Sequence, residues 1–338
     1  MMARRRRILL PWLLVGLGFG LLCAFPACRR DGPGGAAGRR PRIAGNPKGT
    51  THEFWKAVHA GALTAARELD VDIVWKGPLK EDDRNEQMQI VETLAGSGVD
   101  ALVLSPIDDR ALLRPVAEAR RAGIPTVIFN TAISGTEHIA FVSTDNEQGG
   151  VLAARAVGGL TGGRGRLILV RVIEGVEGTR KREEGFLATL RAEFPGIEVV
   201  SENQYAGPST ERAYQTMENL LARFGPIDAV FTPNESTTFG CLRALQDHGL
   251  AGKIVHIGFD SSAKLIEALG NGDLQGLVLQ DPFAMGYQSL RAAVAHLRGE
   301  PYEKAVATAV VLATAENMEE PAIGRLLRPD LSVLGEGR

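Results

Sequence analysis

Short apolar runs alternate with amphipathic helical patterns along most of this 338-residue chain. Runs such as residues 101–105 and 126–129 have the length and the apolar content of buried strands. Stretches between them, such as residues 110–122, carry apolar residues at helical spacing and are followed by a glycine that can end a helix. Strands that alternate with helices in this way predict parallel sheets covered by helices.

The alternation can be assigned element by element. The predicted strands cover residues 72–75, 101–105, 126–129, 139–143, 166–171, 198–201, 228–232, 254–259 and 275–279. The predicted helices cover residues 53–69, 85–95, 110–122, 147–160, 181–194, 210–223, 238–246, 262–269 and 283–298. Two strands follow each other without a helix just before residue 144, which favours two doubly wound sheets over one (β/α)8 barrel.

The place of a first, central strand is taken by residues 43–47. This segment contains Gly45, Asn46 and Pro47, which are poor residues for a buried strand. We therefore expect either a very short strand or local strain in the sheet at this point.

The first 28 residues have the pattern of an export signal. Four arginines precede an apolar stretch over residues 8–25, and the small residue Ala27 stands before Cys28. The sequence around Cys28 resembles a bacterial lipobox, so we predict a signal peptide over residues 1–28 and lipidation of Cys28; release after cleavage nearby is the alternative. Residues 29–41 are rich in Gly, Pro and Arg, which predicts a flexible tether.

Composition and motifs exclude several functions. The formal net charge is −2 and only 6% of residues are aromatic, which argues against a nucleic-acid interface. The sequence contains no nucleophile elbow or phosphate-binding loop, and its six histidines show no metal-ligand spacing. Cys241 stands beside apolar helical residues, which predicts a buried thiol. We expect no cofactor and no metal.

Residues 227–260 form one predicted βαβ unit with polar residues at its strand ends. Asn234 and Glu235 follow the first strand, and Asp260 follows the second. The carboxyl ends of parallel strands share one edge of a sheet, where open α/β sheets bind ligands. Asn234 and Asp260 could equally cap the helices that follow them, and the residues alone leave both interpretations open.

An ordered set of motifs carries a resemblance to a known family. They read THEFW (51–55), GVDALVLSP (98–106), AGIP (122–125), STDN (143–146), REEGF (182–186), MENLL (217–221), FTPNE (231–235), IGFD (257–260) and QDP (280–282). In this order and at these spacings, residues 42–318 resemble type I periplasmic substrate-binding proteins, in particular the ribose-binding-like, LacI-related sugar binders of ABC transporters. The signal and tether stand where the repressor relatives have their DNA-binding segment.

The resemblance implies an α/β fold of two Rossmann-like, doubly wound lobes joined by a three-crossing hinge, with the ligand held between them. The N-terminal lobe would comprise residues 42–144 and 281–303, and the C-terminal lobe residues 145–280 and 304–318. Residues 319–338 would form a tail without a functional signal. The crossings are expected near residues 144–145, 280–281 and 302–303.

The resemblance also implies a site of polar side chains around a sugar and aromatic rings against its apolar faces. The implied ligand contacts are His52, Phe54, Trp55, Asn130, Arg182, Asn234, Asp260 and Gln280, with Lys48, Thr131, Tyr205 and Glu235 as further candidates. From the residues alone, Phe54 and Trp55 could be core residues and Arg182 a surface charge. We interpret the acidic run at residues 81–83 as a solvated loop.

These observations predict an exported, lipid-anchored solute-binding protein rather than an enzyme. It would capture a small, neutral polyhydroxy ligand, a monosaccharide, by lobe closure and deliver it to an ABC permease. His52 and Asn130 depart from the pattern of ribose binders, so ribose itself is not assigned. A sensory module for a chemoreceptor or kinase is the alternative, and a (β/α)8 barrel enzyme is a third hypothesis.

Overall fold

The computed structural model describes residues 39–335. The predicted signal peptide, Cys28 and most of the predicted tether therefore lie outside the described residues, as do the last three residues of the chain. Within residues 39–335, no helix combines the length and the apolar character that crossing a bilayer requires.

The elements follow the predicted alternation. In chain order they are β1 (Arg42–Asn46), α1 (Glu53–Glu68), β2 (Asp72–Trp75), α2 (Arg84–Gly96), β3 (Ala101–Leu104), α3 (Leu113–Arg121), β4 (Thr126–Phe129), β5 (Ala140–Thr144), α4 (Asn146–Leu160), β6 (Arg164–Arg171), α5 (Glu177–Glu193), β7 (Gly196–Tyr205), α6 (Thr210–Phe224), β8 (Ala229–Phe231), α7 (Glu235–Asp247), β9 (Val255–Phe259), α8 (Ala263–Asn271), β10 (Gly276–Gln280), α9 (Pro282–Arg298), β11 (Ala305–Thr308), β12 (Val310–Ala313) and α10 (Pro321–Leu327). A short 3₁₀ helix, Ser332–Leu334, follows. Every predicted strand and helix overlaps one of these elements.

The strands within residues 39–335 form two separate six-stranded sheets. The first has the order β11-β5-β4-β3-β1-β2 and is parallel throughout. The second has the order β12-β10-β9-β8-β6-β7 and is parallel except for β12. The two-sheet α/β fold is thus confirmed, and the barrel hypothesis is wrong because no single closed sheet connects the described strands.

Each sheet is buried between helices. On the first sheet, α1 and α9 cover one face and α2 and α3 the other. On the second sheet, α4 and α5 cover one face, and α6, α7, α8 and α10 cover the other. The central strands are therefore buried on both faces, which accounts for their continuous apolar runs.

The first strand is a regular central strand despite its unusual composition. β1 pairs with both β2 and β3 over four residues each. A Cβ atom on Gly45 would lie 2.0 Å from the ring of Trp75, so only glycine fits at this position. Pro47 lies just beyond the strand. The expected shortening or strain is not observed, because the missing side chain makes room for an indole ring.

The third crossing between the lobes differs from the prediction. β11 and β12 were not predicted, because only a single residue, Ala309, separates them and no helix lies between them to mark the alternation. β11 pairs with β5 of the first sheet, whereas β12 pairs with β10 of the second. The chain therefore crosses at residue 309 and not at residues 302–303, and residues 305–308 belong to the first lobe.

The predicted tail is structured over residues 319–335. Ile323 and Leu327 of α10 are buried in the core of the second lobe. The following 3₁₀ helix packs against α1 of the first lobe, where Arg67 Nη2 donates to the carbonyl oxygen of Val333 at 2.9 Å. The tail thus contacts both lobes.

Candidate ligand-binding site

The carboxyl ends of the central strands of both sheets border one cleft. Its lining residues are Lys48, His52, Phe54, Trp55, Glu81, Asn130, Thr131, Val172, Ile173, Val176, Gly178, Thr179, Arg182, Asn234, Glu235, Asp260 and Gln280. The eight ligand contacts implied by the sequence all lie in this set, and so do three of the four further candidates, Lys48, Thr131 and Glu235. Their contact with a ligand stays a prediction.

Tyr205 is not part of the cleft. It ends β7, which is an edge strand of the second sheet and therefore lies away from the central strands that border the cleft. Its side chain is 42% exposed, and the Arg171 guanidinium lies 5.8 Å from the centre of its ring. The inclusion of Tyr205 among the site residues was wrong for this topological reason.

The two lobes present equivalent backbone positions to the cleft. Asn130 follows β4 and Asp260 follows β9, and these strands occupy the same place in the order of their sheets. Both residues adopt a left-handed conformation, with φ of 63° and 66° respectively. Such backbone conformations are uncommon for residues other than glycine, although Asn and Asp adopt them more readily than other residues do. The pair turns one amide and one carboxylate into the cleft from opposite sides.

Asp260 is held by three partners. Gln280 Nε2 donates to its Oδ1 at 2.7 Å, the backbone N–H of Glu235 donates to its Oδ2 at 3.2 Å, and Arg182 Nη1 lies 4.0 Å from Oδ2. Burial raises the pKa of Asp260 above its ordinary value, although the charge of Arg182 and these hydrogen bonds oppose the increase. Ser262 caps α8, so Asp260 is not the cap of that helix.

Arg182 is buried, with 4% of its surface exposed, and is not a surface charge. Its Nε donates to Asn146 Oδ1 at 2.7 Å, and its Nη1 donates to the carbonyl oxygen of Pro233 at 2.8 Å. The guanidinium also lies over the ring of Phe259, 4.0 Å from its centre. These contacts fix the orientation of the group beside Asp260.

Glu81 is a site residue that the sequence did not predict. Its carboxylate lies 2.8 Å from His52 Nδ1 and accepts a hydrogen bond from Trp55 Nε1. Burial opposes the charged imidazole, but the hydrogen bond and charge of Glu81 raise the pKa of His52 to about 9. The interpretation of residues 81–83 as a solvated loop was wrong for Glu81, since only the fold brings this loop over α1.

Lys48 is a buried cation at the other end of this cluster. Its Nζ donates to Thr131 Oγ1, and Thr131 Oγ1 donates in turn to Asn130 Oδ1 at 3.2 Å. Burial lowers the pKa of Lys48 to about 8, Glu81 opposes the shift, and Arg182 adds to it. Lys48 and Thr131 together orient the Asn130 amide.

Glu235 joins the two lobes. Its carboxylate accepts a hydrogen bond from the backbone N–H of Phe54 at 3.3 Å, at the N-terminus of α1. Unpaired N–H groups at a helix N-terminus favour an anion. Burial nevertheless raises the pKa of Glu235 to about 7, with Asp260 adding to the effect and His52 opposing it. The lobes are therefore in direct contact across the cleft.

Asn234 and the aromatic pair have two roles each. Asn234 caps α7 by accepting the N–H of Thr237 at 3.1 Å, while it also lines the cleft. Phe54 and Trp55 belong to the core of the first lobe and line the cleft as well, with ring centres 4.9 Å apart in an edge-to-face arrangement. Asn234 is thus both a helix cap and a cleft residue, and Phe54 and Trp55 are both core and cleft residues, so the alternatives from the sequence do not exclude each other.

The chemistry of the site is that of binding. Within residues 39–335, no group of three or more His, Cys, Asp or Glu side chains is placed to hold a metal ion. The cleft offers carboxylates, amides, a guanidinium and two aromatic rings, which are the groups that recognise hydroxyls and the apolar faces of a sugar ring. Gln280 Oε1 is buried without a hydrogen-bond partner, so a ligand hydroxyl could donate to it.

Comparisons with known proteins agree with this geometry. A family model for the periplasmic binding protein domain matches residues 43–301.

The chain belongs to the periplasmic binding protein family.

Among its relatives is the ribose import binding protein of Bacillus subtilis, which is 27% identical over 85% of this chain and 94% of its own length. A carbohydrate transporter solute-binding protein from Agrobacterium radiobacter, solved with D-arabinose, is 31% identical, covers 86% of this chain and 99% of its own, and superposes with a TM-score of 0.82. The periplasmic component of a sugar transport system from Hahella chejuensis is 34% identical, covers 81% of this chain and all of its own, and has a TM-score of 0.77. The predicted role as an ABC-type sugar solute-binding protein, and not an enzyme, is therefore confirmed.

Proposed function

We propose that this protein captures a neutral monosaccharide in the cleft and delivers it to an ABC permease. The observation that carries the proposal is the joint placement of Asn130, Asp260 and Gln280 at strand ends of both sheets, beside Phe54 and Trp55. The relatives named above include a ribose import binding protein and a solute-binding protein solved with D-arabinose, which supports a pentose or a similar sugar as the ligand. The ligand would be enclosed by contacts from both lobes.

Binding would act through lobe closure. A ligand that contacts both lobes favours the arrangement in which they meet, and a permease can distinguish that arrangement from the open one. The hydrogen bond between Glu235 and the N-terminus of α1 would form only when the lobes are closed. Neither lobe alone would bind the sugar well.

The test is a thermal-shift screen over pentoses, hexoses and polyols, followed by calorimetry on the sugar that binds. We expect Asp260→Ala to abolish the stabilisation by that sugar, because the carboxylate is the buried acceptor beside Gln280. Arg182→Ala should do the same, but with a lower melting temperature without ligand, since Asn146 and the Pro233 carbonyl lose their donor. Unchanged shifts in both variants would contradict the site.

We also propose that Cys28 carries a lipid that holds the protein at the membrane surface. The support is the sequence alone: an apolar export signal ends at Ala27-Cys28, and a tether over residues 29–41 separates it from β1. Mass spectrometry of protein from membranes would show the acylated Cys28 peptide. Recovery of all the protein in the soluble periplasmic fraction, with no acylated peptide, would contradict the anchor.

A further inference from the structure

A second cavity lies directly beside the cleft. It has a volume of about 200 Å³ and is bordered by the first turn of α1, the loop that leads into α8, the start of α9 and the tail. Its apolar lining residues include Ala57, Ile266, Leu279 and Leu331. The tail closes it on one side, because residues 326–329 and Leu331 all contribute to its wall.

The cavity shares a wall with the cleft. Phe54, Asp260 and Gln280 line both spaces. In this wall, Gln280 Nε2 donates to Asp260, while Gln280 Oε1 is buried without a hydrogen-bond partner. The polar groups of Asp260 and Gln280 thus lie at the boundary between the cleft and the cavity, and the cavity surface beyond them is mainly apolar.

This arrangement has little use for a sugar that carries hydroxyls on every carbon. The lining also includes the polar residues Glu53, Ser261, Ser262 and Arg328, but a hydroxyl placed against Ile266, Leu279 and Leu331 would lose hydrogen bonds to water. An apolar substituent would instead be removed from water there, which favours binding. A volume of about 200 Å³ accommodates a group as large as a substituted phenyl ring.

We propose that the cavity is a subsite for an apolar substituent on the sugar, so that the preferred ligands are glycosides with an alkyl or aryl group. The sugar ring would occupy the cleft against Phe54 and Asp260, and the substituent would extend past Gln280 towards Ile266. This inference rests on the proposed sugar-binding function and refines its substrate class.

The experiment compares each parent sugar with its own glycosides by calorimetry. D-arabinose, D-ribose, D-xylose and D-galactose are each measured beside their methyl and 4-nitrophenyl glycosides in both anomeric forms. We expect at least one 4-nitrophenyl glycoside to bind about tenfold more tightly than its parent sugar, with the methyl glycoside between them. A set in which parent sugars bind but no glycoside binds more tightly would overturn the subsite.

A cavity-filling variant provides the second arm. Ile266 lines the cavity and is only partly buried, and because it packs against the core of the second lobe, Ile266→Trp is used only if its melting temperature without ligand is unchanged. It should leave the Kd of the parent sugar within about twofold and remove the advantage of the glycoside. Leu160→Trp is the matched control, because Leu160 is 56% exposed and lies outside both spaces.

The outcomes separate the two proposals. A glycoside advantage that survives in Ile266→Trp would overturn the subsite but not the sugar-binding function. Failure of every parent sugar and every glycoside to bind would overturn both. Binding of parent sugars with a glycoside advantage that is lost only in Ile266→Trp would support both.

Discussion

At the scale of single residues, the cleft balances six buried or partly buried charges. Three cationic side chains, Lys48, His52 and Arg182, face three acidic ones, Glu81, Glu235 and Asp260. Buried charges are costly unless they are paired and hydrogen-bonded, and here His52 pairs with Glu81 while Arg182 lies beside Asp260. Cationic and acidic side chains are equal in number, which agrees with a neutral ligand.

The first prediction concerns the pair of His52 and Glu81. Because the pKa of His52 is raised from 6.5 to about 9, its protonation stabilises the fold below pH 6.5, and this contribution is lost as the pH rises through 9. Glu81→Gln should lower the free energy of unfolding by up to about 3 kcal/mol near pH 6 and by much less near pH 10. Urea unfolding at both pH values measures the difference.

A direct readout of the same pair is the titration of the imidazole by NMR. The His52 midpoint should fall by at least about one pH unit in Glu81→Gln, because the largest remaining influence is burial, which disfavours the charged ring. An unchanged midpoint would show that Glu81 is not the partner of His52 in solution.

At the scale of elements, the two lobes repeat one strand order. β1 in the first sheet corresponds to β6 in the second, β4 to β9 and β5 to β10. The repeat explains why ligand groups arise in pairs, as with Asn130 after β4 and Asp260 after β9. The third crossing lies between β11 and β12, which are the last strand of each sheet.

The element-scale prediction concerns β1. Gly45→Ala should destabilise the protein by about 3 kcal/mol, because a Cβ atom would overlap the Trp75 ring and β1 is fixed on both sides by β2 and β3. Gly96→Ala is the control: nothing lies within 4 Å of its Cβ position at the end of α2, so this change should stabilise by about 0.5 kcal/mol. Equal effects of the two substitutions on urea unfolding would refute the packing argument.

At the scale of the whole molecule, the lobes are linked by more than the three crossings. The tail anchors in the second lobe through Leu327 and contacts α1 of the first lobe through the 3₁₀ helix Ser332–Leu334. Glu235 adds a direct hydrogen bond from the second lobe to the N-terminus of α1. Both links are present while the lobes are in contact, so both should favour the closed arrangement.

The corresponding prediction is made for a truncated chain. Deletion of residues 329–338 should raise the Kd of the bound sugar about threefold to tenfold and increase the radius of gyration of the ligand-free protein, because the contact between tail and α1 is lost. Calorimetry and small-angle scattering measure the two effects. Glu319→Ala removes only the exposed ion pair with Arg328, lies outside both the cleft and the cavity, and should change neither quantity. A truncated protein with the Kd of the full chain would contradict the role of the tail.

The sequence by itself determined the fold class and the order of the elements from α1 to α9, and its resemblance to the family indicated most of the cleft residues. Apolar runs and helical periodicity are patterns within a short stretch of sequence. Strands such as β3 and β4 and the helices α1 to α9 could therefore be predicted from their own residues. The strand ends followed from them, and with them Asn234 and Asp260, whereas Gln280 was implied by the resemblance to the family.

Only the tertiary structure decided the rest, because it depends on contacts between distant segments. Glu81 became a site residue when its loop was placed over His52 and Trp55, and Tyr205 was excluded because β7 is an edge strand. Gly45 suits a central strand only because Trp75 fills the space beside it. The sequence near a residue indicates which secondary structure it forms. The role of Glu81, however, depends on His52 and Trp55, which lie about 30 residues away in sequence.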